Sequence, residues 1–202
     1  DQDLAGRQLG RGAAGQIKIW QADNSAVELP AGEVGEIGGR GASLMLGYFN
    51  DQSATEDSFN ALGWFMTGDL GWIDESGYLR ITGRKKDVIN RGGHKIFPAK
   101  LEAIASQHQC IERVAAIPVA DDRLGEKVCL AVEFRNGKKA TASDILEHLN
   151  LGGLSKYDMP EYFLELDRIP LTASGKIRKV EIVEAVKAGR KSPVAIRQGQ
   201  RA

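Results

Sequence analysis

Residues 83–87, GRKKD, divide the chain into two stretches with different periodicities. Before this polar, cation-rich joint, apolar and polar residues alternate between glycine-rich turns, the pattern of half-buried strands. GQIKIW (15–20) alternates as a strand. LPAGEVGEIGGRG (29–41) reads as turn, short strand and turn, and GWFMTGDLG (63–71) as a packed loop. GWIDESGYLRITG (71–83) reads as a hairpin around the turn sequence at 74–77. After the joint the period changes. Pro98 suits a first helical turn, with Leu101, Ile104, Ala105 and His108 on one face. VAAIPVA (114–120) and VCLAVEF (128–134) are unbroken apolar runs, which predicts buried strands. Ser143 is placed to cap SDILEHLN, with Ile145, Leu146 and Leu149 inward; YFLEL (162–166) reads as a strand and KVEIVEAV (179–186) as a last helix. The expected fold class is therefore α+β, a β-rich piece followed by a small α+β domain.

Of the 202 residues 42% are hydrophobic, enough for a sizeable core in one ordinary domain or two small ones. The 27 cations balance 27 anions, which removes the electrostatic case for nucleic acid or an anionic membrane as main partner. Cys110 and Cys129 lie in apolar surroundings, as buried thiols in a reducing compartment would. No apolar run is long enough to span a bilayer, and no signal peptide is visible. Two phosphate-binding look-alikes fail. GRGAAG (10–15) has the dinucleotide spacing, but a strand-like run follows it where a helix is needed; SGK (174–176) has proline at 170 and isoleucine at 177, where a P-loop needs Gly and Ser or Thr.

Four stretches, GWFMTGDLG, ITGRKKD, NRGGHKI and PLTASGKIRK, stand in an order and spacing that resembles the AMP-forming acyl-CoA synthetases, members of the acyl-adenylate-forming enzymes. The resemblance also takes in ELPAGEVGEI and LMLGYFN, and its style is nearest to the medium-chain and alicyclic acid–CoA ligases. Each motif alone is weak; together they are specific. The resemblance implies two half-reactions. A carboxylate attacks the α-phosphate of ATP to give acyl-adenylate and pyrophosphate. The thiol of coenzyme A then attacks the acyl carbon and releases AMP.

The matching positions carry implied roles. Asp69 accepts hydrogen bonds from the ribose hydroxyls, and Arg84 contacts ribose or phosphate oxygens with its planar fork. Lys95 lies near the phosphates, where many relatives have arginine. Lys86, with Asp87 adjacent, takes the hinge position between the two domains. Gly92, Gly93 and His94 border the pantetheine tunnel, with His94 orienting the loop. Lys176 is the catalytic lysine, which reaches the substrate carboxylate and the α-phosphate as pyrophosphate leaves. The lysine at this position is a regulatory acetylation target in the family, and acetylation would remove its charge. One departure stands out: in KYDMP (156–160) Asp158 replaces a cation, which weakens any contact there to a coenzyme A phosphate.

The resemblance further implies an organisation. Residues 1–83 would be the β-barrel-like end of a large N-terminal AMP-binding domain, 84–188 a small mobile lid, and 189–202 a disordered tail. The family's Ser/Thr/Gly-rich phosphate loop and its YG-x-TE stretch, source of the Mg2+ ligand, are not among these 202 residues. The chain is therefore expected to be a C-terminal piece of a longer cytoplasmic ligase, with no metal ligand of its own and no turnover alone. Its partners would be a carboxylic acid, ATP, coenzyme A and the N-terminal part of the same enzyme. Two alternatives remain open: an adenylation module that loads a carrier-protein thiol, and a non-catalytic interaction module of the same fold.

Overall fold

The computed structural model describes residues 15–196, so most of GRGAAG and residues 197–202 lie outside the described residues. The chain forms two compact units that divide between Lys86 and Asp87. A 3₁₀ turn over Lys85–Asp87 carries the backbone from one to the next.

The first unit holds β1 (Gly15–Gln21), β2 (Asn24–Glu28), β3 (Gly35–Gly41), a short α1 (Gln52–Asp57), β4 (Phe65–Ile73) and β5 (Leu79–Arg84). Its strands form one antiparallel sheet in the order β2-β1-β3-β4-β5. Alternation along β1 and β3 puts Ile19 and Ile37 on one face with Leu79, backed by Leu29, Ile73 and Ile81. Trp20 and Trp64 pack in a tilted arrangement, 5.7 Å between ring centroids and 55° between planes. The turn at 74–77 joins β4 to β5, with the Asp74 carboxylate accepting from the Ser76 and Tyr78 amides. Those bonds, with Arg80, hold the Asp74 carboxyl below its ordinary value. The packed loop expected at 63–71 is instead strand from residue 65. Its glycines and polar residues conceal a ladder whose gaps are closed by side chains, as described below.

The second unit holds β6 (Ile89–Arg91), β7 (His94–Ile96), α2 (Pro98–Ala105), β8 (Ile111–Asp121), β9 (Gly125–Phe134), α3 (Ala142–Leu151), β10 (Tyr162–Glu165), α4 (Lys179–Lys187) and β11 (Val194–Ala195). β9 is central: it pairs with β8 antiparallel, with β10 parallel, and meets β6 where Arg91 faces Gly125. Residues 128–132, VCLAV, are fully buried because both faces of β9 are covered. Val128, Leu130 and Val132 cluster with Leu101, Ile104, Ile145 and Leu149 of α2 and α3, while Cys129 and Ala131 cluster with Ile182 of α4. Each such aliphatic side chain contributes about 1.5–3 kcal/mol on burial. Burial also pushes the Cys129 thiol up to about 12.

Two expectations need correction in this unit. The cap of α3 is Thr141, not Ser143: Thr141 accepts from the Asp144 amide while the Asp144 carboxylate accepts from the Thr141 amide. Counting from Ser143 the third helical residue would be Leu146, which cannot close that reciprocal box. Nor is the stretch from 189 structureless throughout, since Val194–Ala195 pair with Tyr162 and Phe163 as β11. Among the described residues, no helix is long and apolar enough to cross a membrane.

Candidate functional site

Asp69 and Arg84 face each other across β4 and β5. Arg84 Nε lies 3.2 Å from Asp69 Oδ1; the Asp69 side chain is about one-third exposed and that of Arg84 more than half. Such an exposed pair adds little to stability, so its two groups remain available to a ligand. The backbone beneath Asp69 is irregular. On β3 Glu36 pairs with Leu70 and Gly38 with Met66, so Ile37 faces three residues, Thr67, Gly68 and Asp69. With three residues opposite one, this is a special bulge, and bulges re-aim side chains. Its polar groups are met one by one. Thr67 Oγ1 donates to the Ile37 carbonyl at 2.9 Å and accepts from the Asp69 amide at 3.1 Å. The Gly68 amide donates to Glu36 Oε1 at 3.2 Å, and Gly68 takes a φ of +73° that a side chain would disfavour. Lys85 donates to the other Glu36 oxygen at 2.7 Å. Thr67, Gly68, Arg84, Lys85 and Lys86 line one pocket. Of these three consecutive cations Arg84 and Lys85 are paired with Asp69 and Glu36, and exposed Lys86 adds a further positive charge.

Lys86 is exposed, whereas Asp87 is half-buried. Asp87 lies 3.8 Å from Lys179, the first residue of α4, and Lys179 bonds Glu102 of α2 at 2.7 Å. Of the two residues expected at the hinge, Lys86 is thus exposed and Asp87 is tied into the second unit.

Gly92 and Gly93 form the turn between β6 and β7, with φ of +59° and +90°. Positive φ at both central residues defines the tight hairpin turn that suits glycine. The Gly92 amide donates to the Leu124 carbonyl at 2.8 Å and the Gly93 amide to Asn90 Oδ1 at 3.0 Å. A methyl group at Gly93 would meet no atom within 4 Å, so this part of the turn is open to a thin ligand. His94 Nε2 is hydrogen-bonded to Asp158 Oδ1 at 2.8 Å. Arg91 contacts the Glu161 carboxylate and donates to the Tyr157 carbonyl. Asp158, the residue that departs from the expected cation, therefore holds His94. Lys156 stacks its ammonium 5.0 Å from the Tyr157 ring. Lys95 faces Asn90 in register and is exposed.

Lys176 occupies a second hairpin. Leu171 and Ile177 bridge, the Thr172 amide donates to the Lys176 carbonyl at 2.8 Å, and the Gly175 amide donates to the Thr172 carbonyl at 2.9 Å. Thr172 Oγ1 accepts from the Lys176 amide at 3.0 Å. Residues 172–176 are all exposed, and among the described residues the Lys176 ammonium has no carboxylate partner.

Within each unit the structure thus brings some expected residues together: Asp69 with Arg84, Arg84 with Lys86 in one pocket lining, and Gly92 and Gly93 with His94 and Lys95. Lys176 stands on its own hairpin. Sequence reasoning passed over Glu36, Arg91, Glu161 and the His94–Asp158 pairing. The one available signal was Glu36, a carboxylate in the otherwise glycine and isoleucine run GEIGG. Among the described residues, no cluster of three or more His, Cys, Asp or Glu side chains could hold a metal ion.

Residues 100–176 match the AMP-binding enzyme C-terminal domain. The chain is 39% identical over 150 residues to the mitochondrial medium-chain acyl-CoA ligase ACSF2 of Bos taurus, covering 74% of this chain and 24% of that protein. It is 36% identical over 168 residues to the medium-chain fatty-acid–CoA ligase of Escherichia coli, covering 83% and 30%. Among solved structures, the o-succinylbenzoate CoA synthetase MenE of Bacillus subtilis, in complex with its acyl-adenylate intermediate, superposes with a TM-score of 0.80 at 30% identity, covering 89% of this chain and 36% of that one. The chain spans only 24% and 30% of the length of these two curated relatives.

Proposed function

The chain belongs to the AMP-forming acyl-CoA synthetases, within the acyl-adenylate-forming enzymes, and from that premise we propose that it serves both half-reactions of an acid–thiol ligase. In the first, a substrate carboxylate oxygen forms a bond to the α-phosphorus of ATP as the bond to pyrophosphate breaks. In the second, the sulfur of coenzyme A bonds to the acyl carbon, its proton is lost, and AMP leaves with the bond electrons.

Asp69 accepts from the ribose hydroxyls, which fixes the nucleotide by its unreacting part. Arg84 presents its fork to ribose or phosphate oxygens, and Lys95 adds a point charge near the phosphates. Lys176 meets the charge that grows at the α-phosphate as pyrophosphate departs. Lys86 and Asp87 act as the hinge, with the rotation taken up at exposed Lys86. Gly92 and Gly93 let pantetheine pass close to the backbone, and His94, held by Asp158, orients that hairpin. This chain supplies no ligand to the magnesium that accompanies ATP, and by itself turns over no substrate. The acid is a medium-chain or alicyclic carboxylate.

The observation that carries this reading is the Asp69–Arg84 pair, whose arginine lines a pocket with Lys85 and Lys86. To test it, the intact enzyme carrying this chain is given ATP, coenzyme A and a series of straight-chain and alicyclic acids. Acid-dependent AMP release is expected, with Asp69→Ala raising the KM for ATP. Transfer of the acyl group to a carrier-protein thiol and not to coenzyme A, or no adenylate with any acid, would overturn it.

A further inference from the structure

Glu36 is only 4% exposed, one of three buried polar or charged residues among those described. A buried carboxylate is costly unless paired and hydrogen-bonded. The other two, Asn60 and Glu133, bond residues that do not neighbour a proposed nucleotide ligand. Asn60 closes its own turn through the Leu62 and Trp64 amides, and Glu133 joins Arg113 to the Ile169 amide. Glu36 does something different. Its two oxygens reach β4 and the first residue past β5, each one residue away from a proposed nucleotide ligand. Oε1 holds the amide of Gly68, next to Asp69; Oε2 holds the ammonium of Lys85, next to Arg84.

The placement matters because the β3–β4 ladder fails at this point. With three residues of β4 facing only Ile37, the Gly68 amide takes its acceptor from the Glu36 side chain. The carboxylate replaces a missing ladder bond and sets the bulge from which Asp69 projects. Lys85 supplies the compensating charge, and in doing so fixes the end of β5 that presents Arg84. We propose that Glu36 is a positioning residue for nucleotide binding: it touches no ligand, but locks the spacing between Asp69 and Arg84. This rests on the ligase reading above.

The first test needs no turnover. Amide hydrogen exchange is measured on the 202-residue chain and its Glu36→Gln variant. Glutamine keeps the shape and one acceptor oxygen but loses the charge. Faster exchange across 67–69, with β1 and its pairing to β3 unchanged, is expected. Unchanged exchange at Gly68 overturns the clamp.

The second test uses the intact enzyme. Glu36→Gln is expected to raise the KM for ATP about tenfold, the loss of one charge-assisted contact, while the KM values for coenzyme A and the acid hold. Lys85→Met should act in the same direction. The double variant should be no worse than the worse single one, since both work through one pair. Leu79→Ala, a core change in the same unit, controls for lost stability; it should lower the melting temperature and leave the KM for ATP alone. If Leu79→Ala and Glu36→Gln raise that KM equally, the positioning role is overturned. If the wild-type enzyme shows no ATP-dependent reaction, the ligase reading and the nucleotide role both fail, and the exchange measurement still decides the clamp.

Discussion

In the first unit Asp69 projects from a strand bulge, paired with Arg84 at 3.2 Å and backed by a buried glutamate. In the second, Lys176 rides a hairpin whose residues 172–176 are all exposed, with no carboxylate beside it among the described residues. One ionic group is held in place before any ligand arrives; the other is left without a counter-ion. The difference follows from what each is proposed to meet. A ribose does not change during the reaction, so its acceptor gains from being fixed. The charge at the α-phosphate grows only as the reaction proceeds, and a protein anion beside Lys176 would compete for it.

The largest effect should come from the unpaired side. Lys176→Ala is expected to cost about 3–4 kcal/mol of barrier in adenylation, roughly 10²–10³ in rate. Thiolation of preformed acyl-adenylate should be much less affected, and thermal stability unchanged. Pyrophosphate release and single-turnover thiolation measure the two separately. An equal loss in both would break the contrast.

Next, Asp69→Ala should weaken ATP binding by about 1.5–3 kcal/mol, the worth of hydrogen bonds to a charged group. Calorimetry on the intact enzyme reads this. Stability should fall by less than about 1 kcal/mol because the Arg84 partner is exposed. A large drop in melting temperature would mean that the pair is structural.

Gly93→Ala tests backbone geometry alone. At φ +90° with open space around it, the added methyl should cost about 1–2 kcal/mol of conformational strain and no clash. Thiolation should slow while adenylation holds, as initial rates with coenzyme A and with added acyl-adenylate would report.

The smallest effect concerns pH. Burial, then the neighbouring His148, lowers the His108 pKa from its ordinary 6.5. The unfolded chain then takes up the proton first as pH falls through 6.5, so stability declines below that value. Asp74 in the first unit has its pKa lowered too, but from 3.8, so the stability it contributes is lost only below that. Melting temperatures between pH 7 and 5 should fall for the wild type and fall less for His108→Gln.

How much of this could be read from residues alone varied with the range of the interactions. VCLAVEF declared a buried strand because covering both faces of β9 demands an unbroken apolar run. Pro98 marked the first turn of α2 because its fixed φ suits that position. The TGD bulge was misread as loop because the group that completes its ladder lies 32 residues upstream, at Glu36. The three-residue strands β6 and β7 are too short to show a period. Asp158 looked like a lost phosphate contact, and only the fold reveals its bond to His94, 64 residues away. At α3 two hydroxyl residues competed to cap the helix, and Asp144 decided between them.

Two residues near the end of the described chain have a consequence for handling this protein. Val194 and Ala195 cover the outer side of β10, and the Ile196 amide donates to the Glu161 carbonyl just beyond it. Without them, Tyr162 and Phe163 would offer unpaired amides and carbonyls along an open sheet edge, a template for pairing with another copy. A version truncated after residue 188 should therefore self-associate as its concentration rises. Those few residues then act as a guard on solubility, in a segment that by composition looks dispensable.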